Sequence, residues 1–223
     1  MEPAVIQLLI LAGIAVFLIL RLRSVLGSRD GFEQKTPLPR QGSGPDGPSK
    51  PRFEVIEGGP DTDITDHVAE GSDMAKALAR MKATDPEFSV DEFLQGARGA
   101  YEMILMAFES SDLDPILPFL SRDVFNSFDE VVQLREQQGL RVDATFVGLR
   151  ELSIVDATFN EDTSEGEITI KFIGELTSVV RKAESGEVVE GDATAIKRQK
   201  DVWTFARDMS SDSPNWKLVA TGE

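Results

Sequence analysis

Apolar residues follow three successive rhythms along this chain, and each rhythm predicts a different kind of structure. From Pro3 to Leu20 they run unbroken except at Gln7, and Leu22, Val25 and Leu26 carry the run past two arginines. That reaches the ~20 residues a membrane-spanning helix needs. From Phe88 to Gly139 they return every three or four positions, the helical period. From Phe146 onward they alternate with polar residues, the period of a strand with one buried face. Between the first and second rhythms, Gly27 to Thr84 is dominated by Gly, Pro, Ser and charge. It reads as a flexible linker, because such a composition buries too little apolar surface to offset the entropy of ordering it. Phe53-Glu54-Val55-Ile56 is its one apolar cluster, a candidate docking segment, and Met74 to Met81 has a partly helical pattern.

The helical region carries its own start and stop signals. Ser89 followed by Glu92 forms a capping box, with Phe88 and Phe93 placed as a hydrophobic staple. Phe93, Ala97, Ala100, Tyr101, Ile104, Leu105 and Phe108 then make one apolar stripe about five turns long. The small residues Gly96, Ala97, Gly99 and Ala100 in its middle let another element approach closely. Asp114-Pro115 opens a short second piece through Leu120, Ser121 caps a third, and Gly139 stops it. The alternating region predicts strands at Phe146 to Ala157, Glu167 to Val180, Ala195 to Asp208 and Trp216 to Thr221, with turns at Glu184 to Glu187 and Gly191-Asp192. The last two strands form a hairpin across Ser210 to Asn215. Trp203 and Phe205 share one of its faces, flanked by Asp201 and Arg207.

The fold class expected is therefore α+β: helices against one face of an antiparallel sheet of about four strands, preceded by an anchor and a disordered linker. The expected divisions are 1-26 anchor, 27-84 linker and 85-223 folded domain. The order of charge favours a retained anchor over a cleaved signal or an interfacial helix, since Glu2 precedes the apolar run and Arg21, Arg23, Arg29, Lys35 and Arg40 follow it. That order puts the N-terminus outside and the rest of the chain in the cytoplasm. Arg21, Arg23 and Arg29 are candidate contacts for anionic lipid head groups, or they serve only to fix topology.

Composition narrows the chemistry. With no Cys, thiolate catalysis and disulfides are excluded, and with His67 the only His, metal sites built from His and Cys are excluded too. A formal charge of -16 argues against nucleic acid as a partner. No phosphate-binding glycine loop is present, because Gly96 and Gly99 lie inside a helix. Tyr101 on its apolar stripe reads as core or as an oxyanion donor, and Asp201 with Arg207 as a site, a cross-strand pair or solvated charges. No catalytic residue, metal or cofactor is assigned.

The ordered set Phe93-Leu94-Gln95-Gly96-Ala97-Arg98-Gly99-Ala100-Tyr101, Phe108-Glu109, Phe119-Leu120, Asp201-Val202-Trp203-Thr204-Phe205-Ala206-Arg207 and Asn215-Trp216-Lys217-Leu218 resembles the Tim44-like domain family. Within that set Phe93, Gly96, Ala97, Ala100, Trp203, Phe205, Arg207 and Trp216 stand out as motif residues. The resemblance implies a cone-like fold akin to the nuclear transport factor two family, with a hydrophobic pocket above a curved sheet. It also implies inner-membrane association, a scaffold role and, with an anchor in place of a long N-terminal region, the bacterial branch of the family.

The candidate pocket residues are Tyr101, Ile104, Phe108, Phe172, Trp203 and Phe205, which either line a pocket or pack the core. The function expected is a non-enzymatic adaptor of the bacterial inner membrane that binds a protein partner, a membrane lipid, or both. An anchored enzyme acting on a small apolar carbonyl or ester in the same pocket is the alternative, and it requires a buried, unpaired Asp facing a cavity. A ribosome tether is a third reading, confined to the basic linker.

Overall fold

The computed structural model describes residues 61–222. The expected anchor, Arg21, Arg23, Arg29 and the docking segment at Phe53 lie outside the described residues. Among those residues no helix is long and apolar enough to cross a membrane.

Residues 61–84, expected as the end of the linker, are part of the folded domain. They form α1 (Thr62–Thr65) and α2 (Asp73–Thr84), and Ile64, Val68, Leu78 and Met81 are buried in the core. Asp63 shows why this polar stretch orders. Its two carboxylate oxygens accept the Val90 and Asp91 amides at the start of the next helix, both at 2.9 Å, and the Ser89 hydroxyl at 3.0 Å. Lys82 of α2 donates to it at 2.8 Å. Burial works against the charge, yet Lys82, the Asp91 and Val90 amides and Ser89 together hold the Asp63 carboxyl well below the usual carboxylate range. Orphan amides at a helix start need acceptors, and here a residue some 27 positions upstream supplies them.

That next helix, α3 (Val90–Glu109), begins at the expected Ser89 cap, whose hydroxyl accepts the Glu92 amide. Phe88 and Phe93 each pack against Trp216, with ring centroids 5.7 and 4.7 Å away, so the staple closes on a third aromatic. A 3₁₀ turn (Asp114–Phe119) and α4 (Arg122–Gln137) follow, and α4 ends at Gly139, whose φ of 62° is the left-handed conformation of a helix stop.

The sheet is a four-stranded antiparallel meander in the order β1-β2-β3-β4, built from β1 (Leu140–Asn160), β2 (Glu165–Lys182), β3 (Val188–Asp208) and β4 (Lys217–Gly222). The first three strands are longer than their alternating patterns predict. In β1 an extra residue at Val147, Arg150 and Val155 resets the side-chain alternation three times, and such bulges bend and twist a strand. In β3 the turn expected at Gly191-Asp192 is an internal bulge rather than a strand end.

One face of the sheet carries the core. Ile168, Ile170 and Phe172 of β2, Trp203 and Phe205 of β3 and Leu218 of β4 are buried together with Tyr101 and Ile104 of α3. Thr169 and Thr204 hydrogen-bond across strands at 2.9 Å on the other face, as alternation requires. The Tyr101 ring lies so close over β2 that a Cβ on Gly174 would come within 2.7 Å of its hydroxyl oxygen, so any side chain at that position would force Tyr101 to shift.

Candidate functional site

The helix start and the hairpin turn that build α3 and the β3–β4 connection leave a groove of about 940 Å³ between them. One wall is the N-terminal half of α3, where Gly96, Ala97, Gly99 and Ala100 keep side chains short. The other is the connection from Met209 to Trp216, whose Ser, Asp and Pro content makes it a turn rather than a strand. The floor is apolar: Phe93, Ile104, Phe119, Phe205 and Trp216.

Arg207 holds the walls together. Its guanidinium donates to Asp85 Oδ2 at 2.7 Å on the α2–α3 side and to the Ser213 carbonyl at 2.9 Å on the turn. The Arg207 side chain is 9 % exposed, and a largely desolvated, hydrogen-bonded ion pair is costly to break from either side. With Asp85 occupied, the carboxylates left along the rim are Glu87, Glu92 and Asp212, all exposed. The arrangement offers apolar burial within a negative border. Among the described residues no group of three or more His, Cys, Asp or Glu is placed to hold a metal ion.

The six expected pocket residues are divided by the fold. Ile104 and Phe205 lie beneath the groove, themselves buried at 0 % and 3 % exposure. Tyr101, Phe172 and Trp203 are buried and pack on one another, with Tyr101 stacked on Phe172 at 4.4 Å and tilted against Trp203 at 4.9 Å. Phe108 sits between helices, 4.6 Å from Phe128 and beneath the Arg135 guanidinium, which also donates to the Phe108 carbonyl at 2.9 Å. Of the eight family-motif residues, by contrast, all but Trp203 line the groove. Asp85, Glu87, Glu92, Met103 and Met209 were missing from both sets. Asp85 was visible only as half of an unknown pair, its partner lying 122 positions away.

The buried aspartate that an enzyme reading requires has a partner. Asp201 accepts the Tyr101 hydroxyl at 2.6 Å and the Gln199 amide at 3.0 Å. Burial, and then the Asp201 carboxylate, push the Tyr101 hydroxyl up, so it stays protonated and donates. Asp201 and Arg207 thus flank the aromatic pair as expected, but each binds an element outside the sheet instead of the other.

A family model, the Tim44-like domain, matches residues 74–223. The human mitochondrial import inner membrane translocase subunit TIM44 is 26% identical over 162 residues, which cover 71% of this chain and 35% of that protein. The yeast (Saccharomyces cerevisiae) subunit of the same name is 21% identical over 153 residues, covering 66% and 36%. The chain therefore spans about a third of the length of the curated relatives it matches. Among solved structures, the intermembrane space region of the chloroplast protein ARC6 aligns over 58% of this chain and 94% of that one, at 16% identity and a TM-score of 0.38.

Proposed function

We propose that this chain, which belongs to the Tim44-like domain family, is an inner-membrane adaptor whose folded domain captures a segment of a partner protein in the groove. The observation that carries this reading is the groove's composition: an apolar floor bordered by Glu87, Glu92 and Asp212. An anionic lipid head group would meet those carboxylates as like charges, whereas an apolar segment flanked by Lys or Arg would meet complementary ones. The relatives are named as subunits of an inner-membrane import translocase, so the process we assign to this chain is protein transport without chemistry of its own. The apolar run of residues 3–20 would anchor it once in a bacterial inner membrane, N-terminus outside and domain in the cytoplasm.

The test uses Gly99→Trp, since Gly99 lines the groove and a Cβ there meets nothing within 4 Å, so an indole at this position is expected to occupy the groove. Proximity labelling from the C-terminus of the full chain in cells is compared with this variant and with a fusion that keeps residues 1–60 and carries an unrelated domain. A defined set of membrane or secretion proteins enriched by the wild type and lost in both comparisons is expected. An unchanged set in Gly99→Trp removes the groove from the reading, and a wild-type profile equal to the fusion's removes the adaptor. Saturable binding to anionic liposomes that Gly99→Trp abolishes would give the groove to lipid instead.

A further inference from the structure

Strand β3 has a partner on both sides over only part of its length. β2 pairs with it from Val188 to Asp208, whereas β4 reaches only Val202 to Ala206. Lys197 to Asp201 therefore make an unbroken ladder with Leu176 to Phe172 on one side and, among the described residues, have no strand on the other, in line with β4. A straight strand edge of this kind exposes a row of main-chain donors and acceptors that another strand can pair with.

Two boundaries turn this edge into a slot. At one end lies the last described pairing of β4, Gly222 with Val202. At the other, β2 advances two residues from Leu176 to Ser178 while β3 moves back five from Lys197 to Asp192. The extra residues bulge out, with Gly191 at a φ of 84° and Thr194 turned onto Asp192 Oδ1 at 2.7 and 2.8 Å. The slot between holds five residues, about 17 Å at ~3.4 Å per residue.

The slot also has a sign. In a chain of net charge -16 it carries Lys197, Arg198 and Lys200. On the face turned away from the helices, Arg198 and the neighbouring Arg150 share a single carboxylate, Glu175, at 3.2 and 2.8 Å. Glu175 is 9 % exposed at its side chain and the two arginines 67 % and 66 %, so the guanidinium groups present their charge to solvent. Lys200 is exposed beside them, which sets three cations against one carboxylate. Lys197 and Gln199 border a hollow of about 640 Å³ that Glu109, Ser178, Arg198 and Lys200 also line, with the buried Leu176 as its one apolar residue. The outer edge of β1 is different: over Leu140 to Phe146 it carries Arg141 and Asp143 in contact at 3.5 Å, and so selects neither charge.

We propose that the Lys197–Asp201 edge of β3 accepts, as a fifth strand, an extended segment of a partner protein that carries carboxylates at alternate positions. Its carboxylates lie toward Arg198 and Lys200, and its intervening side chains lie toward the hollow over Leu176. Main-chain pairing supplies register and the cations supply selection. A second copy of this chain is a poor occupant, because edge-to-edge pairing would set Lys197, Arg198 and Lys200 against their own copies. The slot is separate from the groove and stands or falls independently of it.

The experiment measures binding of a fluorescent peptide of four Glu-Val repeats to the full chain by anisotropy at moderate salt. Three comparisons accompany it: a Lys-Val peptide, a Glu-Val peptide with alternate amides N-methylated, and the Arg198→Gln/Lys200→Glu double variant. Saturable binding of the Glu-Val peptide is expected, weaker by at least about ten-fold in each comparison. Amide hydrogen exchange at Lys197 to Asp201 should slow when the peptide is bound. Equal binding of the N-methylated peptide would show a charge contact without strand addition and overturn the proposal, using unmodified protein. Undiminished binding to the double variant, or no saturation, would overturn it as well.

Discussion

The two halves of β3 share one strand and almost nothing else. From Asp201 to Asp208 alternate side chains enter the core: Asp201, Trp203 and Phe205 are buried against α3. From Val188 to Lys200 the residues are exposed or nearly so on both faces, and Ile196 is 59 % exposed. The pleat is the same in both halves, and the difference lies in what covers it. Helix α3 ends at Glu109 and the described pairing of β4 at Gly222, so among the described residues the Val188 to Lys200 half of the strand has no cover. A strand stabilised by packing on one half and only by its ladder on the other is free to use the second half for contacts with other molecules.

The sharpest test of that contrast is a pair of truncations. Trp203→Ala should destabilise the domain by about 3–5 kcal/mol, the cost of removing a large buried aromatic, while Ile196→Ala should stay within about 0.5 kcal/mol. Midpoints of urea denaturation followed by circular dichroism read both. A comparable loss at Ile196 would mean that the outer half is packed after all.

The sequence made the covered half readable and left the uncovered half obscure, for a physical reason. Trp203 and Phe205 alternate against Asp201 and Arg207 because one face is buried, and burial is what writes a period of two into a strand. Val188 to Ile196 have no buried face, and the bulge at 192–196 shifts whatever alternation they hold, so the strand was expected to begin only at Ala195. Residues 61–84 were misread for a related reason. Asp63 and Lys82 look like linker polarity, and their work as cap acceptor and counter-ion appears only when the fold brings Val90 and Lys82 beside Asp63, whereas Ser72 caps its helix locally through the Ala75 amide. The candidate site was half legible: small residues on α3 and the aromatics at Phe93, Phe205 and Trp216 mark the groove. Tyr101, Phe172 and Trp203 have the same chemical character and lie in the interior, and composition cannot separate a lined groove from a filled core.

Gly174→Ala probes how closely the covered half is packed. The added methyl would sit 2.7 Å from the Tyr101 hydroxyl oxygen, in a spot fixed by the 2.6 Å bond to Asp201 and the stack on Phe172. Overpacking of this kind costs about 1–3 kcal/mol, read as a drop in the denaturation midpoint. A neutral result would show that Tyr101 can move aside.

Asp63→Ala asks whether the early residues belong to the domain energetically as well as geometrically. Removing the acceptor of two helix-start amides should cost about 1–2 kcal/mol at neutral pH. The sign with pH follows from the depressed carboxyl. Below the ordinary carboxylate range the unfolded chain takes up the proton first, so the contribution of Asp63 is present above about pH 4 and fades as pH falls further. Stability curves of wild type and variant should therefore converge on the acid side. Parallel curves down to pH 3 would place the effect in lost packing rather than in the charge.

Gly96→Ala is the smallest effect and carries the opposite sign. Gly96 lies inside α3 with helical backbone, and a Cβ there meets nothing within 4 Å. Replacing it removes the entropic penalty of a mid-helix glycine and should stabilise the domain by about 0.5–1 kcal/mol. The same substitution thus loses stability at Gly174 and gains it at Gly96, because one glycine makes room for a core side chain and the other leaves a groove wall bare. If Gly96→Ala also weakens partner recruitment while raising the denaturation midpoint, the bareness of that wall serves binding at the expense of folding. If recruitment is unchanged, the wall tolerates a methyl group and the segment it receives lies deeper, against Phe93 and Trp216.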